Sequence, residues 1–357
     1  MNVYGEREIR LQQHQRKQWR IPPVDTQMEE KARKHVDQLT KPTGALGDLE
    51  ELVVRLAGIT GQVFSDISKK GVAIFCADHG VTVEGVSAYP AEVTGLMIGN
   101  FSRGKAAVNV LAQRFQSEVA VVDVGSRLPK PPEGVLERKV RSGTANMAQG
   151  PAMTRQEAEE ALQAGADLAS SWKGAGLQLT AVGEMGIGNT TSASAVAACL
   201  TGKPVRRLIG RGTGLDEEGV RRKGEVITRS LQVNRPDPRD PLDVLTKVGG
   251  LELAAMAGFM LEASHLRLPV VLDGLITTAA ALAAVRMEPR VRSYLFASHQ
   301  SAEPGHALLL EALDMRPLIS AGMRLGEGSG AVLAFPLFDA AVATAREMAT
   351  FAELGLE

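Results

Sequence analysis

The stretch MRLGEGSGA, Met323 to Ala331, sets one carboxylate, Glu327, among Gly326, Gly328 and Gly330. Glycine has no Cβ, so such a segment lets a flat ligand lie against the backbone. A carboxylate held there can take a proton from that ligand. The plainer alternative is that Glu327 opens a helix and favours its positive end. Residue types alone rate the two readings equally.

Other segments carry groups of complementary chemistry. In GEMGIGNTTSASA, Gly183 to Ala195, a strand ends, glycines follow, and Asn189, Thr190 and Thr191 open a helix. Exposed backbone N–H groups and a helix N-terminus suit a phosphate, with Gly183, Gly186 and Asn189 as its contacts. The loop is not a nucleotide P-loop, because no GK[ST] follows. Glu184 lies inside it, and a carboxylate is unfavourable beside a phosphate unless it faces a ribose or a base. GRGTGLDEEGVRRKGEVI offers Lys223 as the cation a phosphorylated ligand needs, although such a run is as often a solvated basic face. VVLDGLITT ends a buried strand with Asp273 and Gly274. Ordinary phosphoribosyltransferases place two adjacent acids there, which help to hold a magnesium diphosphate. Only one acid is present here, which points to a leaving group other than diphosphate. CADHGVTVEGVSAYP, with Asp78, His79, Glu84 and Ser87, reads as a polar loop lining a pocket rather than a metal site. His299 and His306 flank QSAEPG, which contains Ser301. No G-x-S-x-G elbow supports a hydrolase triad. GEGSGA lacks the preceding strand and crossover of a dinucleotide fingerprint.

These residues must be positioned by something, and the apolar pattern says what. GVAIFCA, SEVAVVDVG, LQLTAVGEM, LPVVLDG and SYLFASH read as short strands, buried on both faces. They alternate with helical stretches: EVTGLMIGNFSRGKAAVNVLAQRF with a break at Gly104, TRQEAEEALQAGADLASSW with a Thr154/Glu157 capping box, TTSASAVAACL, LDEEGVRRKGEVITRSLQV, GLELAAMAGFMLEASHL, ITTAAALAAV and EPGHALLLEAL. The pattern predicts an α/β fold with a mainly parallel sheet covered on both sides. Its polar strand ends should converge on one crevice. Helices over about 27–39 and 48–60, the second capped by Asp48, lie outside this alternation, as does the closing helix AVLAFPLFDAAVATAREMATF. They suggest a smaller helical unit built from both chain ends. Residues 1–25 read as a hydrophilic arm that packs on a neighbour or stays mobile.

The 357 residues are 44% hydrophobic and 23% charged, with a formal net charge of −1. A sizeable core is therefore possible, and nothing recommends nucleic-acid binding. Two cysteines without CxxC spacing suggest neither disulfides nor zinc. The absence of an apolar leader or a long apolar span leads to the expectation of a soluble, cytoplasmic protein without membrane partners.

Taken in order, the strings KPTGALGDLE, FCADHGV, EGVSAYP, GPAMTRQEAEEAL, GEMGIGNTTSASA, NRPDPRDPLDVLTKVGGLELAAMAGFMLEA, LPVVLDG, SHQSAEPGHA and LGEGSGAVLAFPL closely resemble the nicotinate-nucleotide–dimethylbenzimidazole phosphoribosyltransferases. That family acts in assembly of the cobalamin lower nucleotide loop. The resemblance covers most of the chain and implies transfer of the phosphoribosyl group of nicotinate mononucleotide to 5,6-dimethylbenzimidazole, giving α-ribazole 5′-phosphate and nicotinate. It implies Glu327 as the base and Glu184 as a second functional acid. Beside them stand Ser87 and Leu325 as walls of the base pocket, and Gly183, Gly186, Asn189, Lys223, Asp273, Gly274 and Ser301 as contacts for ribose and phosphate. It further implies no metal or organic cofactor, a Rossmann-like three-layer domain over 66–325, a small domain from 1–65 and 326–357, and a homodimer. The chemistry agrees with one base. A departing pyridinium regains its ring lone pair and needs no proton, whereas the incoming benzimidazole must lose its N–H. Attack opposite the leaving ring inverts C1′. The alternative is a non-catalytic binder of benzimidazole or its α-riboside on the same fold, which retention of both glutamates disfavours.

Overall fold

The computed structural model of the chain describes residues 19–356. Two helices, α1 (Thr26–Asp37) and α2 (Asp48–Thr60), precede the strand β1 (Lys70–Ala77). Helices α3 (Val93–Ser102) and α4 (Ala107–Arg114) lead to β2 (Ser117–Gly125) and a two-residue strand, β3 (Leu136–Glu137). α5 (Arg155–Gly174) feeds β4 (Leu179–Met185). α6 (Asn189–Thr201), α7 (Val205–Leu208), α8 (Glu217–Asn234), α9 (Pro241–Val248) and α10 (Leu251–His265) follow. Then come β5 (Val270–Leu272), α11 (Leu275–Met287), β6 (Leu295–Ala297), α12 (Pro304–Ala312) and α13 (Ser329–Glu347).

The strands form one sheet in the order β3-β2-β1-β4-β5-β6, and every pairing is parallel. The chain builds outward from β1 in one direction, then crosses to β4 and builds outward in the other. That reversal is a topological switch point, and in such sheets ligands bind beyond the carboxyl ends of the strands there. The expected α/β, Rossmann-like architecture is therefore present. Its cause is local: KGVAIFCA is buried at all eight positions, so both faces of β1 need cover. One cover is α10, buried continuously from Leu251 to Ser264. It crosses α5 at two glycines. A Cβ on Gly258 would stand 1.9 Å from Leu162 O, and one on Gly165 would stand 1.8 Å from Ala255 O. Phe259 then meets both Phe75 of β1 and Trp172 of α5 edge-on.

Several expectations need correction. Asp48 is the first residue of α2 rather than its cap; Gly47 caps it at φ 57° without a side-chain hydrogen bond. SYLFASH contributes only Leu295–Ala297 as strand, after a 3₁₀ turn over Pro289–Tyr294. The stretch from 93 to 114 is two helices, parted at Gly104 with φ 70°, as its glycine suggested. The capping box of α5 forms as expected, with Thr154 and Glu157 each taking the other's backbone N–H. Of the arm, residues 1–18 lie outside the described residues. Residues 19–25 pack on their own chain: Ile21 is buried, Tyr294 Oη donates to Pro22 O at 2.9 Å, and Arg267 donates to Pro23 O at 3.1 Å.

Helix α13 joins two regions. Its first turn lies at the sheet, with Gly328 against Val72 of β1. Its last turn meets the outer pair, where His35 Nε2 of α1 donates to Ala345 O at 2.7 Å. Just beyond, Leu39 bridges Thr350. Among the described residues no helix is long and apolar enough to cross a membrane.

Candidate active site

Glu184 stands in β4 one residue before its end, Asp273 just past β5, and Ser298 and His299 just past β6. The Gly326–Gly328 loop drops between them, because Asp273 receives the first turn of α13. Asp273 Oδ2 accepts from Gly328 N–H at 3.0 Å, while Oδ1 accepts from Gly330 N–H at 2.8 Å and Ala331 N–H at 3.2 Å. These are the donors a helix N-terminus leaves unpaired. Burial pushes the Asp273 carboxyl up to about 7, and the three N–H donors work against that rise. Asp273 was expected among the ribose and phosphate contacts. Its carboxylate is instead engaged in holding the loop.

This bears on the helix-start reading of Glu327. The helix start already has its anion, so Glu327 is not needed there. It sits at φ 64° between Gly326 at 85° and Gly328 at 83°, three successive left-handed residues. For a residue with a Cβ that conformation is strained and persists only where the surroundings impose it. Glu327 is 7% exposed, and no hydrogen bond from a described residue reaches its carboxylate. Burial alone raises it to about 7. The side chain is thus a desolvated carboxyl that no described residue engages.

Glu184 is the partner of this loop. Its Oε1 accepts Glu327 N–H at 3.4 Å, and its Oε2 takes a short hydrogen bond from the Asn189 side-chain amide. Burial pushes Glu184 up to about 8; the Asn189 bond opposes this, and the neighbouring Asp273 and Glu252 charges add to it. Gly183 and Gly186 serve chain packing, not an open ligand cradle. A Cβ on Gly183 would stand 2.5 Å from the Glu327 carbonyl and Gly328 N, and one on Gly186 would stand 2.4 Å from Ala77 O. Asn189 likewise spends its amide on Glu184.

The next residue opens the other end of the site. Lys223 of α8 is 1% exposed and donates from Nζ to Thr190 Oγ1 at 2.7 Å. Burial lowers it to about 8, against the pull of Glu303. So the run Asn189-Thr190 links a carboxylate-rich end to a cationic end. The basic run Arg221-Arg222-Lys223 divides accordingly: Lys223 turns inward, while Arg221 and Arg222 are exposed. Ser87 is half-buried and shares a hydrogen bond of 3.1 Å with Thr213 Oγ1. Leu325, expected as a pocket wall, is 56% exposed.

The β6–α12 loop completes the arrangement. His306 accepts Ser301 N–H on Nδ1 at 2.9 Å and shares a 3.0 Å bond between Nε2 and Thr278 Oγ1. Burial lowers it to about 3, so it is neutral, with Nε2 carrying the proton. Gly274 faces Ser301, whose Oγ would lie 3.8 Å from an added Cβ. Asp78 and His79 brace the crevice more than they line it. His79 is fully buried between Glu252 Oε1 at 2.7 Å and Ser192 Oγ at 3.1 Å. Glu303, the pairing of Thr190 with Lys223 and the helix-holding role of Asp273 escaped the sequence reading, because each depends on residues distant in the chain. Among the described residues no group of three or more acidic, histidine or cysteine side chains is disposed to hold a metal ion.

A family described as Phosphoribosyltransferase matches residues 21–356. The protein named nicotinate-nucleotide–dimethylbenzimidazole phosphoribosyltransferase from Desulforudis audaxviator is 52% identical over 338 residues, covering 94% of this chain and 96% of its own. The protein of the same name from Chloroflexus aggregans is 51% identical with the same coverage. The crystal structure of CobT from Thermus thermophilus is 51% identical, covers 93% of this chain and 99% of its own, and superposes with a TM-score of 0.88. Agreement of this extent, in sequence and in fold, places the chain in the nicotinate-nucleotide–dimethylbenzimidazole phosphoribosyltransferase family, as a pentosyl-transferring enzyme.

Proposed function

We propose that the chain transfers the phosphoribosyl group of nicotinate mononucleotide to 5,6-dimethylbenzimidazole, with Glu327 as general base and inversion at C1′. The observation that carries this is the state of Glu327: buried, unpartnered among the described residues, and raised to about 7 on a backbone its neighbours constrain. The lone pair of one benzimidazole nitrogen forms the new bond to C1′. The bond from C1′ to the pyridinium nitrogen breaks, and its electron pair stays with nicotinate. The proton on the other benzimidazole nitrogen passes to Glu327 and later to solvent. A base with a pKa near the working pH is suited to this single transfer, which typically contributes about 10²–10⁴-fold. Orientation of the two rings in line supplies more, up to roughly 7–11 kcal/mol.

The polarity of the crevice supports the same substrate. Three acidic groups, Glu184, Asp273 and Glu327, surround one end, where positive charge on the sugar would develop during transfer. Lys223 and Thr190 supply cation and hydroxyl at the other end, where the 5′-phosphate fits. Glu184 accepts the main-chain N–H of Glu327 and so fixes that loop. Ser301 and Gly274 lie against the ribose, and Ser87 and Leu325 flank the base. We also read α1, α2 and the end of α13 as the small helical unit, and two such chains as the working assembly.

The test is Glu327→Gln, assayed by release of free nicotinate from a mixture of the two substrates. Turnover should fall at least about tenfold with the circular dichroism unchanged. Near-normal turnover would remove Glu327 from the base role. No nicotinate release by the parent chain would favour a binding protein.

A further inference from the structure

One buried carboxylate in the crevice has no part in the steps above. Glu303 caps α12 and is 7% exposed. Both of its oxygens face the loop between α7 and α8. Oε1 accepts Gly212 N–H at 3.0 Å. Oε2 has no hydrogen-bond partner among the described residues and packs on Gly210, where an added Cβ would stand 1.9 Å away. On its other side the same loop is held by Thr213, whose Oγ1 accepts Ala88 N–H at 3.1 Å and meets Ser87 Oγ at 3.1 Å. Between these two attachments the loop passes over the cationic end of the site. A Cβ on Gly212 would lie 3.1 Å from Thr190 Oγ1 and 3.3 Å from Lys223 Nζ. Gly212 and Gly214 have φ of 53° and 116°, so the path is one that residues with a Cβ rarely follow.

A buried carboxylate oxygen without a partner is costly, and the arrangement persists only if it secures something else. What it secures is the loop. We propose that Glu303 is a positioning residue for the phosphate-bearing substrate, clamping the Ile209–Leu215 loop as a strap across Lys223 and Thr190. The strap excludes water from the lysine and sets Gly212 where a bound phosphate would touch it. Its effect is therefore on the nucleotide and not on the incoming base. This rests on the reading that Lys223 receives the 5′-phosphate.

The experiment uses the full chain and three variants. Glu303→Ala removes the clamp. Gly210→Ala dislodges it while keeping Glu303. Glu303→Gln keeps an oxygen for the Gly212 N–H. In steady-state assays Glu303→Ala and Gly210→Ala should raise KM for nicotinate mononucleotide about tenfold, the order expected when one buried hydrogen bond is lost. KM for dimethylbenzimidazole should stay in place, and Glu303→Gln should behave nearly as the parent. Limited trypsin digestion reads the loop directly, because Arg211 is exposed within it. Cleavage after Arg211, followed by mass spectrometry without substrates, should accelerate in the first two variants. In the parent it should slow with nicotinate mononucleotide but not with nicotinate riboside. Unchanged cleavage in Glu303→Ala would overturn the proposal, as would a parallel rise in both KM values. Lys223→Ala separates the two levels. If it leaves KM for nicotinate mononucleotide untouched, the phosphate assignment itself fails. If it raises that KM while Glu303→Ala does not, only the strap fails.

Discussion

Glu327 has a pH signature that can be worked out in sign. Its folded-state pKa, about 7, stands above the ordinary glutamate value of 4.5 because burial disfavours the charged form. Between those values the folded chain binds more protons than the unfolded chain, so stability falls as pH rises through that window. Glu327→Gln removes the cost. The variant should melt a few degrees above the parent at pH 8, with the gap closing towards pH 4, as differential scanning calorimetry would show. The same carboxyl must be ionised to act, so kcat/KM should fall about tenfold per pH unit below its pKa. A profile flat to pH 5 would be incompatible with that role. At this scale the sequence was informative where a polar residue stood in an unusual setting. A lone acid among glycines and a second inside a strand-end loop marked Glu327 and Glu184. Asp273 was visible as a polar strand end, but its use was not. Nothing near it in the chain announces that Gly328, Gly330 and Ala331 will donate to it.

At the scale of elements, the contact between β4 and the loop before α13 sets the position of Glu327. Gly183 has no room for a methyl group, because backbone atoms of Glu327 and Gly328 would lie 2.5 Å from it. Gly183→Ala must therefore push the loop away and tilt Glu327. A displacement of about 1 Å can cost roughly 10²-fold in rate. Nicotinate release should drop by that order, with a smaller change in KM for nicotinate mononucleotide, since Lys223 sits on another helix. Long elements were legible in the sequence: apolar runs gave the buried strands, and small-residue runs gave α6, α10 and α11. The two-residue β3 and four-residue α7 escaped because neither is long enough to show a period. α9 escaped despite a readable start, Asp240 as N-cap and Pro241 in the first turn.

For the whole molecule, strand order follows from topology rather than from any one residue. The alternation of strands and helices implied a parallel sheet. It did not say that β1 would be central, with the reversal between β1 and β4, because order is fixed by which helices pack on which face. The α5–α10 crossing is part of that packing. Gly258→Ala would place a methyl group 1.9 Å from Leu162 O, forcing two long helices apart. The expected loss is about 1–3 kcal/mol, read as a lower melting temperature. The acid limb of the rate profile should keep its position, because Glu327 does not touch this crossing.

Helix α13 has 19 residues, with Pro336 inside it, and at a rise of about 1.5 Å each it spans roughly 28 Å. One tip rests on Asp273 beside Glu327; the opposite tip is gripped by the outer helices α1 and α2. A change in that remote grip therefore has one continuous helix through which to reach the Glu327 loop. Substitutions on the molecule's periphery, far from either substrate, would surface first as misaligned catalysis and only later as unfolding.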